Sequence, residues 1–435
     1  MIYEDLLAFW LAFIIWEFIP ASLNHAHPAL VKIPLFLAKE TLFFALLFSL
    51  RQRFSPLSNP LPSFIGRAGL LLLFFFYILD LTYFGLKGFL YPYYFSSFFV
   101  LLWFLHYYLA YKLILYPLKF GYLRILLGLL LPFVILLFLD EALEYIGLSF
   151  KGQFLLTLSI VLLLSPYLII KIWPVRKMPM GILRDMIAQF LKIQKIKLKD
   201  FLIIPPIGAK FYTAGILGFI PPFRYLFFSS SLLEILREEE ILGVVAHEIG
   251  HLKKRHGYLL FFVLLTFPLF LFNLLYLFLL GFTFFFATQE ELISFLKSPK
   301  GVYLDIALSL WLLAFAIFFF RFVFAYFLRN LEREADLYAL YLLKDPEPLT
   351  SALYKIGEIT GQLFRKSWHH FGLWERINFI RFASHYPEII KKHSRKIRKF
   401  LALWFLINLL PLLLFLFLEG DILEKILKNF LSWVS

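Results

Sequence analysis

The sequence contains no cysteine, and only 17% of its 435 residues are charged. The first absence excludes disulfides and thiolate metal ligands, so any metal bound here must be held by histidine and carboxylate. The second excludes an ordinary soluble composition, in which about a quarter of residues are charged and about half are apolar. Internal repeats and low-complexity linkers are also missing, so nothing points to a repeat array.

What is present is apolar. Hydrophobic residues make up 61% of the chain, and 57 residues are phenylalanine. Runs near 5–23, 34–50, 68–86, 92–116, 125–147, 153–173, 258–280, 302–328 and 399–418 approach or exceed the roughly 20 apolar residues that cross a bilayer. The second carries Lys39 and Glu40 near one end, and the last could form a hairpin or lie on the membrane surface. About eight or nine spans are therefore expected. No basic residue precedes the first run and no convincing small-residue cleavage site follows it, so it reads as a retained span rather than a signal peptide.

The net charge of +14 raises the question of nucleic acid, and the placement of the cations answers it. They gather at alternate loops: Arg51, Arg53 and Arg67, then Lys112, Lys119 and Arg124, then Lys171, Arg176 and Lys177. This pattern predicts a cytoplasmic N-terminus and a cytoplasmic segment at 174–257. The basic excess reads as membrane topology and contact with anionic lipid, with no nucleic-acid partner.

Five regions follow: a transmembrane block at 1–173, a cytoplasmic helix, small sheet and second helix at 174–257, two spans at 258–328, further cytoplasmic helices at 329–398, and a hydrophobic segment and tail at 399–435. Apolar residues at helical spacing predict an amphipathic helix over 182–194. Short strands are expected at 201–206, 210–215 and 224–229, where β-branched and aromatic residues lie between prolines and glycines. The acidic run Glu238–Glu240 suits the start of a further helix, since carboxylates complement the positive end of its dipole.

That helix carries 247-HEIGH-251. Residues four apart are separated by about 40° around the axis, so His247 and His251 project from one face. Two imidazoles so placed can take two corners of a zinc tetrahedron, and Glu248 then reaches water at the metal without ligating it. The bland alternative is a helix end with two polar histidines and a solvated glutamate. A third ligand is needed, and two candidates offer themselves. His256 is nearest, five residues beyond His251; the metzincin pattern wants six, and that position is Gly257. The other is Glu332 in 329-RNLEREAD-336. Glu332 and Asp336 share a helix face, Glu334 points almost the opposite way, and Ala335 is small enough for another helix to approach closely. Asp336 could receive an N–H from a ligand histidine and fix its tautomer. The bland account is an exposed charged helix with Arg333 and Glu334 as a surface pattern, and the two spans that return this segment to the side of HEIGH favour the ligand reading over it.

HEIGH followed by Glu-x-x-Ala-Asp, with Arg329 three places before the glutamate, resembles the membrane-integrated zinc metallopeptidases of the HtpX heat-shock protease and CAAX prenyl protease type. The likeness runs from 182 to about 377. It implies one zinc ion per chain on His247, His251 and Glu332, with Glu248 as the catalytic base and Asp336 and Arg329 supporting the ligands. It also implies that an edge strand at Lys210, Phe211, Tyr212, Thr213, Ala214 and Gly215 takes up substrate in extended form, although lysine stands where the family often has asparagine. The family's His-Pro pair and following arginine correspond to His370 and Arg376, with Phe371 in place of proline; either residue could assist a developing oxyanion.

The expected fold is mainly α, a polytopic membrane protein with a small cytoplasmic α+β metallopeptidase domain. The expected function is zinc-dependent cleavage of peptide or membrane-protein substrates at the cytoplasmic face of the cell (inner) membrane, in quality control or processing. A CAAX-type protease of prenylated peptides is the alternative within that class, and a metal-regulated transporter or channel the alternative outside it.

Overall fold

The computed structural model describes residues 8–13, 15–16, 19, 29–54, 63–90, 93–116, 120–148, 153–206, 211–218, 220–283, 291, 294–295, 308, 311, 314–365 and 371–418. They gather into two compact units. Six helical stretches among the described residues are long and apolar enough to cross a membrane: Ile33–Arg53, Phe64–Leu81, Ser96–Leu115, Gly121–Tyr145, His256–Phe278 and Ala314–Leu343. Leu156–Ile172 is apolar but shorter. Six rather than eight or nine are thus seen: the expected span at 5–23 falls largely outside the described residues, that at 153–173 is the shorter helix, and that at 399–418 is not among the six.

The first unit comprises Met1–Met178, Lys197–Phe211 and Ile220–Ser230. Its longer described helices are α1 (Ala29–Phe54), α2 (Ser63–Leu81), α3 (Ser96–Leu115), α4 (Phe120–Tyr145) and α5 (Gln153–Ile172). Trp16, Phe43, Tyr77 and Phe104 fill their core, while Leu37, Phe48, Leu71 and Phe75 remain exposed, as on a surface solvated by hydrocarbon. Lys39, Glu40 and Asp80 in these spans satisfy one another. Lys39 bonds Asp80 and Glu40, and Asp80 accepts from Trp103 Nε1 at 2.8 Å and the Tyr107 hydroxyl at 2.6 Å. Strand β1 (Arg176–Lys177) runs antiparallel to β2 (Asp200–Ile204), and β2 runs parallel to β4 (Tyr225–Ser229), with Phe201 opposite Leu226. Phe201 to Ile204 are all buried, the mark of a strand covered on both faces. The pairing groups β2 and β4 with the membrane block, so the segment 174–257 is divided between the two units.

The second unit comprises Pro179–Ile196, Tyr212–Phe219 and Ser231–Ser435. It contains α6 (Ile182–Ile193), strand β3 (Ala214–Leu217) and helices α7 (Glu238–Lys253), α8 (His256–Leu265), α9 (Phe267–Thr283), α10 (Ala325–Leu343), α11 (Glu347–Thr360), α12 (Leu373–His385) and α13 (Glu388–Leu418). Helix α13 continues unbroken into the last apolar run, so that run is neither a hairpin nor separate from 388–398. Strand β3 starts later than the expected 210–215, and Gly218, at φ 108°, follows it in a conformation that suits glycine. Lys210 lies outside the described residues.

Helix α7 packs against α10 and α11 around Ala246, Leu337, Leu340, Leu349 and Leu353. Two glycines allow this approach. A Cβ on Gly243 would lie 2.7 Å from the Leu349 backbone nitrogen, and one on Gly250 would lie 2.9 Å from Ala335 Cα. The first turn of α7 is anchored by Glu240, which is 1% exposed. It accepts from the Arg237 backbone N–H at 2.8 Å, Ser351 Oγ at 2.6 Å and Lys355 Nζ at 2.8 Å.

Burial alone would raise the Glu240 pKa, but the bonds from Lys355, Ser351 and Arg237 outweigh it and hold the carboxyl at about 2 against an ordinary 4.5. Its folded pKa being depressed, its contribution is complete above pH 4.5 and is lost as pH falls through about 2. Glu240→Ala is therefore expected to destabilise the detergent-solubilised chain by about 1–3 kcal/mol at neutral pH, with the gap closing in acid. Thermal unfolding across pH checks this; a gap that stays constant would assign the effect to packing.

Candidate metal centre

HEIGH occupies the second half of α7, and RNLEREAD occupies the middle of α10. Their close approach at Gly250 and Ala335 sets the distances between the donors. His247 Nε2 and His251 Nε2 are 3.2 Å apart, and the Glu332 carboxylate oxygens lie 3.7 Å from the first and 3.5 Å from the second. His247, His251 and Glu332 form the group of metal-ligating side chains found among the described residues.

The spacing tests whether a cation fits. Ligand atoms about 2.0–2.1 Å from a zinc ion sit roughly 3.3–3.4 Å apart at the corners of a tetrahedron, close to the distances here. The outer nitrogens agree. His247 Nδ1 lies 2.9 Å from Asp336 Oδ1, and His251 Nδ1 lies 2.9 Å from His256 Nδ1. Each outer nitrogen has a polar neighbour, and the two Nε2 atoms lie beside one carboxylate. Three protein donors and an open fourth position are what a catalytic zinc site uses.

Asp336 is 1% exposed and serves two groups. Beyond His247 it accepts a fork from Arg376, Nε to Oδ2 at 2.9 Å and Nη2 to Oδ1 at 2.7 Å, while Arg376 Nη1 stands 3.6 Å from Glu332. Arg376, expected as a donor to an oxyanion, is paired here with Asp336 and faces Glu332. Burial lowers its pKa, but Asp336 and Glu332 more than compensate and raise it above an arginine's ordinary value. Arg329 rests over the ring of Phe371, 5.8 Å from its centre, and Arg333 stacks on the same ring at 3.7 Å. His370 lies outside the described residues.

Glu248 is partly buried beside this cluster. Burial is the main influence on it and, with Glu332, pushes its pKa up to about 7 against the opposing pull of His247, the Ile216 backbone and Arg376. Ile216 belongs to β3, so that strand runs past the carboxylate. Burial also drives His251 down to about 3, which keeps its imidazole neutral, the form that ligates. Ala214 and Gly215 lie in β3; Tyr212 and Thr213 precede it without strand pairing, as does Phe211, which falls in the first unit.

Sequence reasoning misses the buried pair His256 and Glu334, 1% and 6% exposed. Spacing presents the first only as a ligand and the second only as a surface charge. The missing signal is the break in the helix between His251 and His256.

Residues 213–393 match the model of peptidase family M48, an interval that begins just before β3 and includes every side chain of the centre. No curated protein sequence matches the chain. Among solved structures, the crystal structure of S. mikatae Ste24p has a similar fold, with a TM-score of 0.50 and 16% identity over 85% of this chain and 98% of that one.

If Asp336 orients His247, Asp336→Asn should weaken zinc binding about 10- to 100-fold, read by competition with a chelator on the purified chain. Unchanged affinity would show that Asp336 serves only the Arg376 pair.

Proposed function

We propose, from the match of residues 213–393 to peptidase family M48, that this chain is a zinc-dependent membrane endopeptidase acting on peptides and membrane proteins at the cytoplasmic membrane face. The observation that supports this most is the convergence of His247 Nε2, His251 Nε2 and Glu332 beside a glutamate that is not one of the three.

His247, His251 and Glu332 would hold a zinc ion, which when bound would supply a Lewis acid to polarise a peptide carbonyl and acidify water. The protein supplies the rest. Glu248, with a pKa near 7, is matched to take a proton from the attacking water and to pass it to the departing amine. Asp336 keeps the His247 proton on Nδ1 and leaves Nε2 free. Arg376 neutralises Asp336, so the centre does not gather uncompensated negative charge. Strand β3 offers backbone groups along which an extended substrate could lie, with its scissile carbonyl carried toward Glu248.

The placement of the basic loops supports a cytoplasmic side for the centre, where segments of membrane proteins emerge. Quality control or processing of such proteins suits that position. Hydrolysis of prenylated peptides is the competing substrate class.

A metal-regulated transporter has no use for a carboxylate beside its ligands, so Glu248 separates the readings. Glu248→Gln is expected to retain one zinc per chain while cleavage falls about 10²- to 10⁴-fold; cleavage at the wild-type rate would remove the base from the mechanism. The wild-type chain should degrade an unfolded membrane protein, lose that activity to a chelator and regain it with zinc. Processing of a prenylated peptide alone would replace the quality-control reading.

A further inference from the structure

Helix α7 ends at Lys253, and α8 begins at His256. Between them Arg255 adopts a left-handed conformation with φ 58°, which a non-glycine residue takes up rarely. In a continuous helix His251 and His256 would stand about 140° apart and could not face each other. The break turns the chain back, and His256 Nδ1 comes to 2.9 Å from His251 Nδ1. On its other side His256 Nε2 is 3.2 Å from Glu334 Oε2. Glu334 is itself held. Ser394 Oγ, from α13, donates to Oε1, and Lys254 Nζ stands 3.4 Å from the same oxygen.

The donors and acceptors in this line are compatible with one assignment for a ligating His251. A carboxylate only accepts, so His256 Nε2 carries a proton and donates it to Glu334. A neutral His256 then presents a lone pair at Nδ1, which accepts from His251 Nδ1–H. His251 is left with its lone pair at Nε2, the nitrogen that faces His247 and Glu332.

We propose that His256 and Glu334 are positioning residues that act through His251, fixing its tautomer and ring orientation for metal. This rests on the zinc reading above. The centre then has two supports of different construction: Asp336 contacts His247 directly, whereas Glu334 reaches His251 through an intervening imidazole. The second support also ties His251 to α13 through Ser394, so the docking of that helix bears on the geometry of a ligand.

The test uses the full chain in detergent, with zinc affinity measured by chelator competition and the absorption spectrum of the cobalt-loaded protein recorded alongside. His256→Leu is expected to lower affinity about 10- to 100-fold and to alter the cobalt spectrum. His256→Asn places an oxygen acceptor where Nδ1 stood and should restore most of the loss. Equal losses in the two variants would reduce His256 to packing, and wild-type affinity and spectrum in His256→Leu would overturn the proposal. Should His256→Leu fail to fold, Glu334→Gln decides: a severalfold loss of affinity supports the relay, and no loss rejects it. A wild-type chain that binds no zinc would refute the metal reading itself, an outcome distinct from these.

Discussion

The geometry of the centre depends on how closely two helix backbones meet. Gly250 lies between the two ligand-bearing turns of α7 and the Ala335 turn of α10, with no room for a side chain atom between them. Interior glycine costs a helix about 1 kcal/mol relative to alanine, so its place in the motif runs against local propensity. What it secures is reach. Glutamate has a short side chain, and Glu332 arrives within 3.5 Å of His251 because α10 can press against the face of α7 that carries the histidines. A methyl group at 250 would widen the approach at the point where the donors converge.

That contact is legible in part from the residues alone. The i, i+4 spacing of His247 and His251 and of Glu332 and Asp336 follows from helix geometry, and Ala335 is small between two carboxylates that share a face. Helix α6 is readable for the same reason, as Ile187 and Leu191 recur at helical spacing and are buried. The strands are harder. β2 reads clearly because it is apolar throughout, whereas β3 is four residues containing a glycine, too short for alternation to set its ends. The role of His256 is unreadable for another reason. Its position relative to His251 depends on Arg255 at φ 58°, and an arginine carries no local sign of a left-handed turn.

Buried charge in both units follows a common rule. In the membrane block Lys39, Asp80, Glu40 and Tyr107 form a closed set in which each polar group meets another. In the second unit Asp336 meets Arg376 and His247, and Glu334 meets His256, Ser394 and Lys254. Removing one partner from such a set leaves an uncompensated charge, which costs about 3–5 kcal/mol. The sets therefore penalise helix arrangements that separate the partners, which is a different matter from net stability. Apolar faces rich in leucine and phenylalanine discriminate poorly among registers, since many helix pairings bury similar area.

This suggests why the carboxylates of α10 are arranged as they are. Glu332 and Asp336 leave one face of the helix and Glu334 another, and partners from three other elements meet them: Arg376 from α12 beside Asp336, Ser394 from α13 on Glu334, and the histidines of α7 beside Glu332. If any one of those helices docked in another register, a carboxylate would be buried without its cation or donor. The centre is thus assembled by the same contacts that select the packing of the helices around it. If the centre holds metal as proposed, the same contacts keep its ligands in place, because the alternatives that would loosen them are already penalised by stranded charge.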